Sequence, residues 1–187
     1  MITRINRGRL YLTLMAILTF IVRLIPSRNF TLAGNDAYIH HDIVMRMVHE
    51  GPGIMGHDIT SLMGLKAYSY PPLFHLMGYG LYLLFHSELV FFLTCPILGT
   101  VTVLVIYKVA LEIFEREDVA LLSAFLFSMV PSFVTRTSVF IPESMGLLLT
   151  SGILYMLVKY IKTVPGYPDI DKFELRGFIN LFRGDLS

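Results

Sequence analysis

Pro71-Pro72-Leu73-Phe74-His75-Leu76-Met77-Gly78-Tyr79-Gly80-Leu81-Tyr82-Leu83-Leu84-Phe85-His86 sets the topology of everything around it. A helix that crosses a bilayer needs ~20 mostly apolar residues, and this run is shorter and carries two histidines and two glycines. If it crosses, the polar loops before and after it face opposite sides of a membrane. If it lies in the interface or re-enters, they share a side. Tyr79, Tyr82 and the histidines suit a helix at headgroup level. Charge counting agrees, because Arg4, Arg7, Arg9, Lys108, Arg116, Lys159 and Lys162 then all fall on the cytoplasmic side.

The rest of the chain has a membrane composition. Of its 187 residues, 55% are hydrophobic and 16% charged, with a mean hydropathy of +0.65; a soluble domain carries about 25% charge. Fifteen basic residues balance fourteen acidic ones, so there is no basic face of the kind nucleic acid requires, and no nucleic-acid partner is expected. The single cysteine, Cys95, sits in an apolar run and reads as a small buried hydrophobe.

Four further segments approach spanning length: Leu10 to Pro26, Leu89 to Phe114, Val119 to Phe133 and Ser144 to Ile161. The first follows three arginines, as a signal peptide does. Its apolar part is long for such a leader, and no small-x-small cleavage site follows, so it reads as an uncleaved helix. The expected fold class is therefore an all-α polytopic membrane protein with about four transmembrane helices, an amphipathic loop helix and an interfacial helix. Residues 1–162 form the membrane module, with an outer loop at 27–88 and a second outer loop at 134–143. Residues 163–187 read as a cytoplasmic tail or the start of a further part. The expected location is the cell membrane, multi-pass, with the amino terminus cytoplasmic and both outer loops extracytoplasmic.

The long first loop contains an amphipathic helix. Ile39, Ile43, Val44, Met47 and Val48 share one face, with Asn35 or Asp36 as N-cap and Gly51-Pro52-Gly53 as its end. Residues 53–69 read as irregular backbone, and Tyr68 to Pro72 as an extended stop. A peripheral helix is expected between Phe173 and Phe182.

Candidate chemistry gathers in these loops. All six histidines, His40, His41, His49, His57, His75 and His86, fall between the first and second long apolar segments, but none forms an established metal-binding pattern. Asp36 reads equally as turn or cap chemistry and as a catalytic carboxylate. His40, one helical turn on, is placed to orient it or to contact a phosphate. Glu143 follows Pro142 at the start of an apolar helix, an ordinary first-turn acid. It also stands at a membrane boundary seven residues after Arg136, where an anionic headgroup and a divalent cation can meet. Arg23, near the end of the first helix, reads first as a snorkelling side chain and second as a phosphate contact. Asn29-Phe30-Thr31 matches the N-glycosylation sequon.

These residues together resemble a family. The basic amino terminus, Arg23-Leu24-Ile25-Pro26 ending the first helix, Gly34-Asn35-Asp36-Ala37-Tyr38 and the amphipathic helix look like the start of GT-C membrane glycosyltransferases, most of all an archaeal or bacterial oligosaccharyltransferase catalytic subunit. Arg136-Thr137 and Glu143 reproduce the spacing of that family's second loop, and Tyr68 to His75 is similar to GT-C proteins that use lipid-linked sugars. The resemblance implies that Asp36 and Glu143 are catalytic and bind Mn²⁺ or Mg²⁺, and that Arg136 and His40 approach the donor phosphate. It implies a polyprenyl (dolichyl) phosphate or pyrophosphate sugar donor and a polypeptide or glycolipid acceptor. The chain departs from the oligosaccharyltransferase pattern at Met145, where a second acid is usual, and in having no tryptophan for the family's acceptor-recognition motif. The likeness covers an amino-terminal portion of such an enzyme. Two alternatives stand beside it: a metal-independent polyprenyl-phosphate-monosaccharide transferase with Asp36 as base, and a non-enzymatic membrane transport or assembly subunit.

Overall fold

The computed structural model describes residues 2–29, 31–51 and 72–164. The expectations for 53–69, for His57, for the Tyr68 to Pro71 stop and for a peripheral helix after 165 lie outside the described residues.

Seven α-helices are described. They are α1 (Ile2–Leu24), closed by a 3-10 turn Ile25–Ser27, α2 (Asn35–Glu50), α3 (Pro72–Phe85), α4 (Leu89–Phe114), α5 (Glu117–Ser128), α6 (Pro131–Ser138) and α7 (Glu143–Thr163). No strand occurs among the described residues. Helix α4 has the bounds expected from its apolar run and packs against α1, α3, α5, α6 and α7. Its threonine hydroxyls are satisfied within the helix. Thr94 donates to Val90 O, Thr100 to Pro96 O and Thr102 to Leu98 O, at 2.7 to 2.8 Å. Hydrocarbon offers polar groups no other partner.

Leu10, Leu14, Ile17 and Ile21 of α1, and Ile153, Met156, Leu157 and Tyr160 of α7, lie on the outer surface. Such rows would be a liability in water and are ordinary against lipid. Spans Arg7–Ser27, Leu89–Phe114 and Glu143–Thr163 are long and apolar enough to cross a membrane, and α5 with α6, bent by 66°, is a broken span or a re-entrant pair. The protein is thus an all-α polytopic membrane protein.

The bend corrects one expectation. Val119 to Phe133 was to be a single helix, but Pro131 has no N–H to offer the preceding turn and its ring clashes with a continuing helix, so α5 stops at Ser128 and α6 starts at Pro131. Residues 134–138, expected in the second outer loop, are the last turns of α6; the connection proper is only 139–142.

Helix α3 bears on how the loops relate. Its 14 residues reach ~21 Å at 1.5 Å per residue, short of the ~30 Å hydrocarbon core. It packs on α2 and on the start of α4 instead. His41 of α2 lies 2.9 Å from the carboxylate of Glu88, just before α4, and Phe140 of the 139–142 connection packs at a tilt on Phe74 of α3, 4.7 Å between ring centroids. At the opposite end, Lys162 of α7 reaches Glu115, after α4, at 2.5 Å, and Gly8 of α1 abuts Glu117 of α5. Asp36 and Glu143 therefore occupy the same end of the bundle.

Helix α2 differs in detail from its periodicity. Its N-cap is Gly34 rather than Asn35 or Asp36, and no side chain caps it. Gly34 has φ 81° and ψ 150°, a conformation that only glycine adopts without strain, and it turns the chain beside Val139. The buried face is Ala37, His40, Val44 and Met47, while Ile39 is exposed. The helix is rotated from the expected face because small Ala37 permits close packing and His40 finds a polar partner inside.

Candidate active site

The floor of the site is aromatic. Phe74, Phe91 and Phe140 come from α3, α4 and the 139–142 connection and join Ala37, Val44 and Cys95 in one buried cluster. Phe140 lies edge-on to Phe91 at 5.0 Å, and His41 lies edge-on to Phe91 at 4.6 Å. These contacts hold α2 and the start of α7 against the same surface. Cys95 is buried as expected and pairs with Ser144 Oγ at 3.1 Å, anchoring the first turn of α7.

Beside this floor both acids act electrostatically on His40. Asp36 is in the first turn of α2 and Glu143 in the first turn of α7, where helix dipoles favour negative charge. Burial pushes the His40 imidazole below its ordinary range, and the carboxylates of Glu143 and Asp36 act on it in the opposite sense. Arg136, in the last turn of α6, reaches Glu143 Oε1 through one guanidinium nitrogen at 3.0 Å, with both side chains about half exposed. All four residues singled out from the sequence, Asp36, His40, Arg136 and Glu143, thus belong to one region.

Two further residues belong to this region, neither of them the sequence's first choice as a site residue. His75 of α3 is 3% exposed and its Nε2 lies 3.0 Å from Nδ1 of His40, which is 2% exposed. Burial, then the neighbouring His40, lowers His75 to about 4. The only sequence signal was the confinement of histidines to residues 40–86. Arg23 is the other. Expected to snorkel, it is fully buried: Nε donates to Thr137 Oγ1 at 2.7 Å, and the two terminal nitrogens donate to Thr19 O at 3.0 Å and Ser128 O at 3.3 Å.

The reason is the break before Pro131. It strips Ser128 O of its helical partner and leaves the negative end of α5 to be satisfied by a cation. Phe133 covers the Arg23 guanidinium at 4.7 Å. Gly99 of α4 makes room, since a Cβ there would sit 2.6 Å from Thr137 Cβ and 2.8 Å from Arg23 Nε. Thr137 is the residue after Arg136, so this buried knot fixes the turn that carries the surface arginine.

Among the described residues, no group of three or more His, Cys, Asp or Glu side chains is arranged to hold a metal ion. The donor set is two exposed carboxylates, Asp36 and Glu143, beside one arginine. Oxygen ligands of this kind suit hard cations such as Mg²⁺ and Mn²⁺, which at phosphate sites usually complete their shell with phosphate and water.

Residues 69–166, just over half of the chain, match the family described as dolichyl-phosphate-mannose-protein mannosyltransferase. Two curated proteins of Archaeoglobus fulgidus are similar. Dolichyl-phosphooligosaccharide-protein glycotransferase 1 is 36% identical over 109 residues, 56% of this chain and 18% of that protein. Dolichyl-phosphooligosaccharide-protein glycotransferase 2 is 32% identical over 108 residues, again 56% of this chain and 18% of that protein. The chain therefore spans about a fifth of the length of these relatives. No solved structure matches it. By sequence and by its apolar helical architecture, the chain belongs to the dolichyl-phosphate-mannose-protein mannosyltransferase family of GT-C membrane glycosyltransferases.

Proposed function

We propose that this chain supplies the amino-terminal membrane module of an enzyme that moves a sugar from a polyprenyl phosphate or pyrophosphate carrier to a polypeptide or glycolipid hydroxyl or amide. The observation that supports it most is that Asp36 and Glu143, from segments more than a hundred residues apart, both act electrostatically on His40 while Arg136 pairs with Glu143. Asp36 takes the proton of the acceptor as the acceptor atom bonds to the anomeric carbon. The carbon–oxygen bond to the carrier breaks, and the departing phosphate keeps the electron pair. Arg136 and His40 hold its oxygens, stabilising charge that develops only as that bond breaks. The Arg136 and Glu143 pair is half exposed and costs little to open, so the guanidinium can pass from carboxylate to phosphate. A divalent cation held by Asp36, Glu143 and the phosphate would add charge neutralisation at the leaving oxygen.

The two carriers are separable. The matched family is described by a dolichyl-phosphate sugar, and Met145 leaves the second loop without another acid; both favour a monosaccharide phosphate donor. The similar archaeal proteins are named for a phosphooligosaccharide. Membranes holding the full chain are to be assayed with radiolabelled polyprenyl-phosphate mannose and, separately, with polyprenyl-linked oligosaccharide, each with and without EDTA. Asp36→Ala and Glu143→Ala should each lower transfer by about 10²- to 10⁴-fold, and near-normal transfer by either refutes its role. Cysteines placed at 36 and 143 should be labelled from the extracytoplasmic side only.

A further inference from the structure

Each member of the Arg136 and Glu143 ion pair is followed in sequence by a fully buried hydroxyl, Thr137 after the arginine and Ser144 after the carboxylate. The two hydroxyls are wired alike. Thr137 Oγ1 gives its proton to Phe133 O at 2.6 Å and accepts Arg23 Nε–H at 2.7 Å. Ser144 Oγ gives its proton to Ile141 O at 2.8 Å, which leaves a lone pair for the thiol of Cys95, 3.1 Å away.

Both hydroxyls are seated on one face of α4. Thr137 lies against Gly99, where a Cβ would come within 2.6 Å of the threonine Cβ, and Ser144 lies against Cys95. Residues four apart on a helix stand one above the other, so the seats are on successive turns, ~5–6 Å apart. Arg136 and Glu143 are half exposed, and ion pairs in that setting are weak and readily exchanged. The mechanism above also has Arg136 leave Glu143 for a phosphate. The pair therefore cannot be what holds its own members in place.

We propose that Thr137 and Ser144 are positioning residues for Arg136 and Glu143: seated at Gly99 and Cys95 on successive turns of α4, they fix the separation of arginine and carboxylate whether or not the two are paired. The catalytic consequence rests on the function proposed above, whereas the fixed separation does not. A rigid helix then sets the width of the site, and the charges on top of it are free to change partners.

The test reads the separation with the ion pair removed. Arg136→Cys and Glu143→Cys are combined in the full chain, spin-labelled, and read in lipid nanodiscs by dipolar broadening; the parent chain, whose one cysteine is buried, sets the labelling background. The labels should still report one narrow distance distribution. Thr137→Val and Ser144→Ala should each widen it, and Thr137→Ser, which keeps the hydroxyl, should not. Gly99→Ala presses on Thr137 from α4, should widen it as well, and is the reading to use where Thr137→Val does not fold. A wide distribution before any of these changes would overturn the proposal, as would one that Ser144→Ala and Gly99→Ala both leave untouched.

Transfer assays separate positioning from plain stability. Thr137→Val should raise the donor KM at least about tenfold with a smaller effect on kcat, and Thr137→Ser should stay within about threefold of wild type. In an Arg136→Ala chain Thr137→Val should cost less than about threefold more, because the side chain it positions is gone. A full tenfold loss there would make the threonine's effect independent of Arg136 and overturn its positioning role. The distance measurement needs no transfer, so failure of the function proposed above and failure of this proposal are told apart.

Discussion

Arg23 of α1 bonds to Thr137, the residue after Arg136 on α6, and the two arginines live in opposite environments. Arg23 is buried, with no carboxylate within ion-pair distance among the described residues, and its partners are a hydroxyl, two carbonyls and an aromatic face. Arg136 is half exposed and paired with Glu143. A charge inside a membrane protein persists when protein dipoles replace water around it, and such a charge is structural because moving it would strand its partners. A half-exposed pair at the bundle end can exchange partners at low cost. The difference separates scaffold from site within one turn of helix.

The largest test of this contrast is on the buried side. Arg23→Ala should cost about 2–4 kcal/mol through a cavity and lost hydrogen bonds, read as a lowered unfolding midpoint in detergent. Gly99→Ala should cost about 1–3 kcal/mol by overpacking, because a Cβ meets both Thr137 and Arg23. In an Arg23→Met background the Gly99→Ala cost should shrink, since contacting sites are not additive. Equal costs in both backgrounds would show that the glycine answers to something other than the arginine.

Acidification should have an intermediate effect and concerns the histidine pair. The unfolded chain binds a proton at His75 near the ordinary 6.5, while the folded chain resists it down to about 4. Above 6.5 neither state is protonated and His75 leaves stability unchanged. As pH falls from 6.5 to 4 the unfolded state gains the proton first, so stability falls, and below 4 the loss is complete. His75→Phe should flatten that part of a pH series of thermal unfolding curves.

The smallest effect on stability belongs to Arg136→Ala, at under about 1 kcal/mol, with transfer nonetheless impaired. A stability loss as large as that of Arg23→Ala would erase the distinction between the two arginines.

Much of the fold was legible because the bilayer imposes simple rules. Leu89 to Phe114 is uninterrupted and apolar, and it forms the helix its length demands. Pro71 to His86 is shorter than the other apolar runs, and α3 has only 14 residues. The failures came where tertiary partners outvoted local pattern. Pro131 broke a helix that hydropathy alone had drawn through it. Ile39 yielded the inner face of α2 to His40, because a histidine across from it on α3 made burial of a polar ring affordable. Arg23 went inward because the broken end of α5 offered it a carbonyl.

What the sequence determined by itself is the all-helical membrane architecture, the helices α1, α4 and α7, and the four side chains Asp36, His40, Arg136 and Glu143 as candidates, since these follow from apolar run length, charge placement and local spacing. Only the tertiary structure decided that both acids act on His40, that His75 contacts His40 and that Arg23 is a buried anchor. Each of those depends on contacts between segments from 35 to more than a hundred residues apart, and no local periodicity records which distant partner will satisfy a buried polar group.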